Sequence, residues 1–130
     1  MMMYASAMER RQYKRVLFTV EDGIVGLFNP PDNGSEKIEA TVMDMSEGGL
    51  KLNFRSILKN SIKEGDRILL SAIRGSDSAQ VVVNVDSEVK WVSENQISDE
   101  IGLGIEFMDI LDDDKQKIND MVEFWFLQKL

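Results

Sequence analysis

The stretch Ile38-Glu-Ala-Thr-Val-Met-Asp-Met-Ser-Glu-Gly-Gly-Leu-Lys-Leu-Asn-Phe54 decides the fold. Apolar and polar residues alternate in residues 38–42 and again in residues 50–54, as they do in strands with one buried face. Residues 44–49 between them combine an aspartate, a serine and two glycines, and these residue types favour turns. The stretch therefore predicts two strands joined by a turn.

The same period-two pattern covers most of the first hundred residues. Asp86 and Ser87 interrupt the longest apolar run and are expected to mark a bulge or a break there. Many short strands with closely spaced turns predict a β-sandwich or a small β-barrel. The further predicted strands are residues 16–20, 23–28, 68–72, 81–92 and 101–107, with turns at residues 29–34 and 75–78.

The end of the chain follows a helical pattern. Residues 112–130 contain no Gly or Pro, and one of the aspartates at residues 112–114 is expected to cap a helix there. We interpret those aspartates as a helix start and not as a metal site, because three adjacent carboxylates do not make a cage. One face of the helix is predicted by apolar residues spaced three and four apart, at Ile118, Met121, Val122 and Trp125.

Residues 121–127 are apolar on more than one face of this helix. Such a helix is either buried or in contact with a partner. Burial against the barrel stays open, as do self-association, which would give a homodimer, and docking on an effector protein. Trp91 and Trp125 are expected in the core.

Composition narrows the class of protein. A chain of 130 residues fits one domain, which we place at residues 9–130 after a flexible segment at residues 1–8. The chain has no Cys and no His, which excludes thiolate zinc sites, cysteine nucleophiles and histidine acid–base chemistry. No apolar run approaches the length that a transmembrane helix needs, so no membrane insertion and a cytoplasmic location are expected.

Charge is distributed unevenly along the chain. The net charge is −8, yet residues 1–15 carry four basic side chains and one acidic one, while residues 16–130 carry 11 basic and 22 acidic ones. The overall balance opposes binding of bulk nucleic acid. The basic start instead indicates a local anion site or an intramolecular partner for acidic surface.

Two short motifs carry a family resemblance. Arg11-Gln-Tyr-Lys-Arg15 resembles the RxxxR element of PilZ domains, and Asp44-Met-Ser-Glu-Gly-Gly49 resembles their D/N-x-S-x-x-G element. Residues 89–92 and 102–107 resemble later strands of the family. The resemblance covers the chain from about Glu9 onward and implies a six-stranded antiparallel β-barrel with a C-terminal α-helix.

The resemblance implies that the protein binds cyclic di-GMP, which has two phosphates and two guanines. Arg11 and Arg15 are expected to contact them, because a guanidinium pairs in two-pronged fashion with phosphate or guanine and stacks on bases. Asp44 would accept from a guanine edge or orient an arginine, and Ser46 would donate to a phosphate. Gly49 would adopt positive φ or let the ligand approach. The implied ligand-binding residues are Arg10, Arg11, Arg15, Asp44, Ser46, Gly48 and Gly49.

The resemblance further implies a receptor module that passes its signal by conformational change to an effector protein, in motility or biofilm regulation. The alternative is an adaptor of the same fold that binds protein and no nucleotide. We expect no enzyme activity, no catalytic residues, no metal and no cofactor beyond the ligand. The pair Gly102 and Gly104 lacks the third glycine of a dinucleotide-binding loop.

Overall fold

The computed structural model describes residues 14–30, 37–55, 62–75, 80–95 and 97–130. Within these ranges, no helix is both long enough and apolar enough to cross a membrane. The predicted segment at residues 1–8 lies outside the described residues. The described elements are β1 (Arg15–Leu17), a 3-10 turn (Val20–Asp22), β2 (Val25–Asn29), β3 (Ile38–Ser46), β4 (Gly49–Arg55), β5 (Arg67–Arg74), β6 (Gln80–Asn95), β7 (Glu100–Phe107) and helix α1 (Asp112–Gln128).

Six of these strands close into an antiparallel barrel. Around the ring the order is β3, β2, β5, β6, β7 and β4, and β4 pairs again with β3. The short strand β1 pairs with the end of β3, where Arg15 lies opposite Ser46 and Leu17 opposite Asp44. The predicted fold, a six-stranded barrel with a C-terminal helix, is confirmed.

The alternating apolar residues fill the barrel. Each large apolar side chain that is fully buried stabilises the fold by roughly 1.5–3 kcal/mol, so the alternation supplies the main driving force. Helix α1 adds Ile118 and Val122 to this core and packs Trp125 edge-on against Phe18, with ring centroids 5.6 Å apart. The strand residues with no more than 2% exposure include Val16, Phe28, Val42, Met45, Leu52, Leu70, Val85, Val89 and Leu103.

The apolar run of α1 is only partly buried. Val122 is buried, and Met121, Trp125 and Phe126 pack against the core. Phe124 and Leu127 remain 55% and 61% exposed. Burial against the barrel therefore accounts for one face of the run and leaves the two outward side chains in solvent.

Three local expectations were wrong. The residue before α1 is Leu111, which makes no capping hydrogen bond through its side chain, and the three aspartates are the first helical residues. Strand β6 continues through Asp86 and Ser87, and its irregularities lie between Val82 and Val85 and between Val89 and Trp91. The first strand ends at Leu17 instead of Val20.

Candidate functional site

A row of side chains crosses the outside of the barrel from β3 to β6. Asp44 on β3 lies opposite Lys51 on β4, Lys51 lies opposite Gly104 on β7, and Gly104 lies opposite Trp91 on β6. Neighbouring strands are separated by about 4.8 Å, so residues paired in this way form one continuous surface. The turn after β3 closes one side of that surface.

Two β-bulges aim Asp44 and Trp91 at this surface. Val42 pairs with Leu52, but Asp44 pairs with Lys51, so β3 contains one extra residue at Met43. Strict alternation after the buried Val42 would turn Asp44 inward, and the extra residue turns it outward instead.

The second bulge acts in the same way on β6. Val89 pairs with Ile105 and Trp91 pairs with Gly104, so the extra residue is Lys90. Val89 is fully buried, whereas Trp91 is 39% exposed. The expectation that Trp91 belongs to the core is therefore wrong.

An ion pair joins β1 to β3 at the edge of the surface. The Arg15 guanidinium donates a hydrogen bond to Oδ2 of Asp44. The Asp44 side chain is 10% exposed and that of Arg15 is 65% exposed, so the arginine keeps free donors on its outer side. The hydrogen bond and the charge of Asp44 raise the pKa of Arg15, and the guanidinium remains charged.

Ser46 fixes the turn that follows β3. Its Oγ accepts a hydrogen bond from the backbone N–H of Gly48 at 3.2 Å and lies 3.5 Å from the Gly49 carbonyl oxygen. Such side-chain bonds to nearby backbone are typical of tight turns. The turn predicted at residues 44–49 is shorter in the structure, because β3 continues through Asp44 to Ser46 and β4 begins at Gly49, which leaves Glu47 and Gly48 between the strands.

Position 49 requires a glycine because of its contact with the neighbouring strand. Among the described glycines, positive φ occurs at Gly23 and Gly65 and not at Gly49. A Cβ at Gly49 would overlap the Ile105 carbonyl oxygen and lie 3.1 Å from its carbon. The glycine therefore lets β4 and β7 approach. Of the two expected reasons for this glycine, positive φ was wrong, and close approach of the ligand stays a prediction.

Gly104 makes room for Trp91. A Cβ at position 104 would overlap Nε1 and Cε2 of the indole and lie 2.7 Å from Cδ1. The five-membered ring of Trp91 thus rests directly on the backbone of β7. Lys51 places its Nζ 5.8 Å from the centre of the Trp91 ring system.

Lys90 lies at the far rim of the surface. Its Nζ is 3.2 Å from Oε2 of Glu88 and 3.2 Å from Oε1 of Glu106. Hydrogen bonds to Glu106 and Glu88 raise the pKa of the ammonium. Since Glu88 and Glu106 lie opposite each other on β6 and β7, Lys90 separates two like charges that would otherwise repel each other.

These residues surround an open concavity of about 370 Å³. It brings together the predicted residues Arg15, Asp44, Ser46, Gly48 and Gly49. Arg10 and Arg11 lie outside the described residues. The residues that sequence analysis did not place here are Leu50, Lys51, Lys90, Trp91, Gly104, Ile105 and Glu106.

The comparisons with known proteins agree with the motifs. A family model for the PilZ domain matches residues 9–124. The chain belongs to the PilZ domain family. No curated protein matches its sequence.

Several solved structures share the fold. The inhibitor of motility MotI/DgrA of Bacillus subtilis is 20% identical with a TM-score of 0.69, over 92% of this chain and 53% of that one. The PilZ domain of YcgR from Escherichia coli with c-di-GMP is 13% identical with a TM-score of 0.66, and the match covers 92% of this chain and 94% of that one. MrkH of K. pneumonia, in its complex with c-di-GMP, is 17% identical with a TM-score of 0.69, and the match covers 92% of this chain and 54% of that one. The chain thus spans about half the length of MotI/DgrA and MrkH.

Proposed function

We propose that the protein is a receptor for cyclic di-GMP. The ligand binds in the concavity between residues 44–49 and Trp91. The observation that carries the proposal is the Arg15–Asp44 ion pair at the edge of an outer surface that also holds Ser46. A guanidinium held by a carboxylate presents its remaining donors in a fixed direction, which suits recognition of phosphate or guanine.

The concavity offers a contact for each part of the ligand. Arg15, with Arg11 and Arg10 from the preceding segment, supplies charge and planar donors for the phosphates and the Hoogsteen edge of guanine. The Ser46 hydroxyl, which lies 3.5 Å from the Gly49 carbonyl oxygen, and the backbone N–H of Gly49 supply neutral donors, while the Gly48 N–H holds Ser46 Oγ in place. Trp91 adds a partly exposed aromatic surface on which a guanine can stack.

Family membership and the solved complexes support the same ligand. The YcgR PilZ domain, MrkH and the PlzA protein of Borreliella burgdorferi are each described as complexes with c-di-GMP. Their identity to this chain is 13–17%, so the likeness supports the fold and the residues of the concavity support the ligand. On this proposal the protein binds the dinucleotide in the cytoplasm without turning it over.

The signal would leave the domain through the segment that contains Arg10 and Arg11. A ligand shifts a conformational equilibrium only by its difference in affinity for the two states. A segment whose arginines contact the ligand satisfies this condition, because its arrangement then depends on occupancy. An effector protein or a second copy of the chain would recognise the rearranged surface.

Isothermal titration with cyclic di-GMP tests the proposal. We expect micromolar or tighter binding, about −8 kcal/mol. Arg11→Ala, Arg15→Ala and Asp44→Ala should each weaken it at least tenfold, since a hydrogen bond to a charged group contributes roughly 1.5–3 kcal/mol. Arg74→Ala is the matched control, because Arg74 pairs with Glu39 at 3.1 Å outside the concavity.

Two outcomes would contradict the proposal. Absence of binding by the folded, unmodified protein would favour the alternative, an adaptor that binds only protein. If Arg15→Ala and Asp44→Ala bound as tightly as Arg74→Ala, the ligand would occupy a different surface.

A further inference from the structure

Among the described residues, three cationic side chains line the concavity, and each has different contacts. Arg15 is paired with Asp44. Lys90 is paired with both Glu88 and Glu106. Lys51 forms no ion pair with any residue in the described part of the chain, and its contact there is with the Trp91 ring. Its charge is therefore the one that the described surroundings leave uncompensated.

Lys51 does not pair with Asp44, although its position favours such a pair. The two residues lie directly opposite each other on β3 and β4, a geometry that usually favours an ion pair. The carboxylate of Asp44 accepts from Arg15 instead, while the Lys51 ammonium extends across Gly104 to the indole. A cation over an exposed ring is held weakly, so its three donors remain available to an anion.

Arg15 and Lys51 flank β3 from opposite sides. Arg15 belongs to β1 and lies opposite Ser46 on one edge of β3. Lys51 belongs to β4 and lies opposite Asp44 on the other edge. A ligand with two phosphates binds more tightly to two cations that lie apart, because each cation can then neutralise one phosphate.

We propose that Lys51 is a phosphate-binding residue of this concavity and contacts the phosphate on the β4 side, across β3 from Arg15. The inference rests on the proposed binding of cyclic di-GMP and assigns a role to a residue outside both sequence motifs. Lys90 has a different role, because its charge is already shared between two carboxylates.

Titration of charge variants with cyclic di-GMP tests this assignment. Lys51→Met keeps the apolar stem and removes the ammonium, and we expect the Kd to rise about tenfold at low ionic strength. Lys51→Arg should retain most of the affinity. Lys37→Met is the control, because it makes the same change in net charge at an exposed residue. Lys37 lies just before β3, at the end of that strand away from the concavity. Its substitution should change the Kd less than about twofold.

Ionic strength separates a phosphate contact from a packing role. The ratio of the Kd of Lys51→Met to that of the unmodified protein should shrink as salt rises, because exposed charge interactions are screened. A ratio that does not change with salt would show that Lys51 acts through packing and would overturn the assignment.

The remaining outcomes also decide the question. If the unmodified protein binds and Lys51→Met matches Lys37→Met, the Lys51 assignment fails while the proposed function stands. If Lys51→Met binds more tightly, Lys51 obstructs the Trp91 surface and the assignment is wrong. If the unmodified protein does not bind, the proposed function fails and the assignment fails with it.

Discussion

Gly104→Ala tests the role of Trp91 without changing any polar group of the concavity. The added methyl would overlap Nε1 and Cε2 of the indole and lie 2.7 Å from Cδ1, whereas real Cβ atoms stay beyond 3.0 Å. The indole must therefore move by several tenths of an ångström at Cδ1 and by more at Nε1. The neighbouring backbone of β7 is paired on both sides, by β4 and β6, so the indole is the part that yields.

Gly104→Ala is expected to reduce both the stability of the protein and its affinity for the ligand. Overpacking of this kind costs about 1–3 kcal/mol of unfolding free energy. A displaced indole also loses its stacking contact with a guanine, which is worth roughly 1–3 kcal/mol, so binding should weaken about 5- to 150-fold. Isothermal titration measures the second effect, and urea denaturation measures the first.

Gly102→Ala is the matched control on the same strand. A Cβ there would lie 2.9 Å from Ser93 Oγ and 3.2 Å from Asn53 Oδ1, and both atoms belong to side chains that can rotate away. It would also lie 3.5 Å from Cζ3 of Trp91, which is an ordinary van der Waals contact and does not force the indole to move. Gly102 is buried like Gly104, but its added methyl leaves the indole in place, so binding should change less than about threefold. If Gly104→Ala bound cyclic di-GMP as tightly as Gly102→Ala, the indole would not support the ligand and our interpretation of Trp91 would be wrong.

Two further predictions concern stability. Gly49→Ala should lower the unfolding free energy by about 2 kcal/mol or more, because its Cβ meets the backbone of Ile105, which cannot rotate away; an unchanged urea midpoint would contradict the close approach of β4 and β7. The hydrogen bonds from Lys129 and from the Thr19 backbone N–H lower the pKa of Asp22, so its contribution to stability is present above about pH 4 and is lost as the pH falls through the folded-state pKa. Asp22→Asn should therefore be less stable than the unmodified protein at pH 7 and should approach it in stability at about pH 2, and a difference independent of pH would contradict this.

Sequence patterns located the barrel strands and the helix, but not the early end of the short β1 or the 3-10 turn after it. Alternation located the barrel strands because each has one buried face, and the apolar spacing of three and four located α1. The closed barrel itself was implied by the family motifs, because alternation alone does not distinguish a barrel from a sandwich. The connection between β3 and β4 was recognised from residue types that favour turns locally, but it is limited to Glu47 and Gly48, because pairing with neighbouring strands keeps Asp44–Ser46 in β3 and Gly49 in β4.

The outer surface was only partly predictable, and the reason is the two bulges. An extra residue at Met43 and another at Lys90 reverse the alternation of β3 and β6. Counting by twos from Val89 places Trp91 in the core, while the bulge turns it outward next to Gly104. Bulges depend on pairing between distant strands, so the periodicity of one segment does not show them.

Mapping of amide and indole N–H resonances during titration with cyclic di-GMP tests the central claim most directly. We predict saturable shifts at residues 44–49, at Lys51, at Gly104 and at the Trp91 indole N–H. The outer face around Thr41, Asn53 and Arg55, which forms a separate concavity, should stay unchanged. Shifts confined to that second face, or no saturable shift at all, would contradict the account.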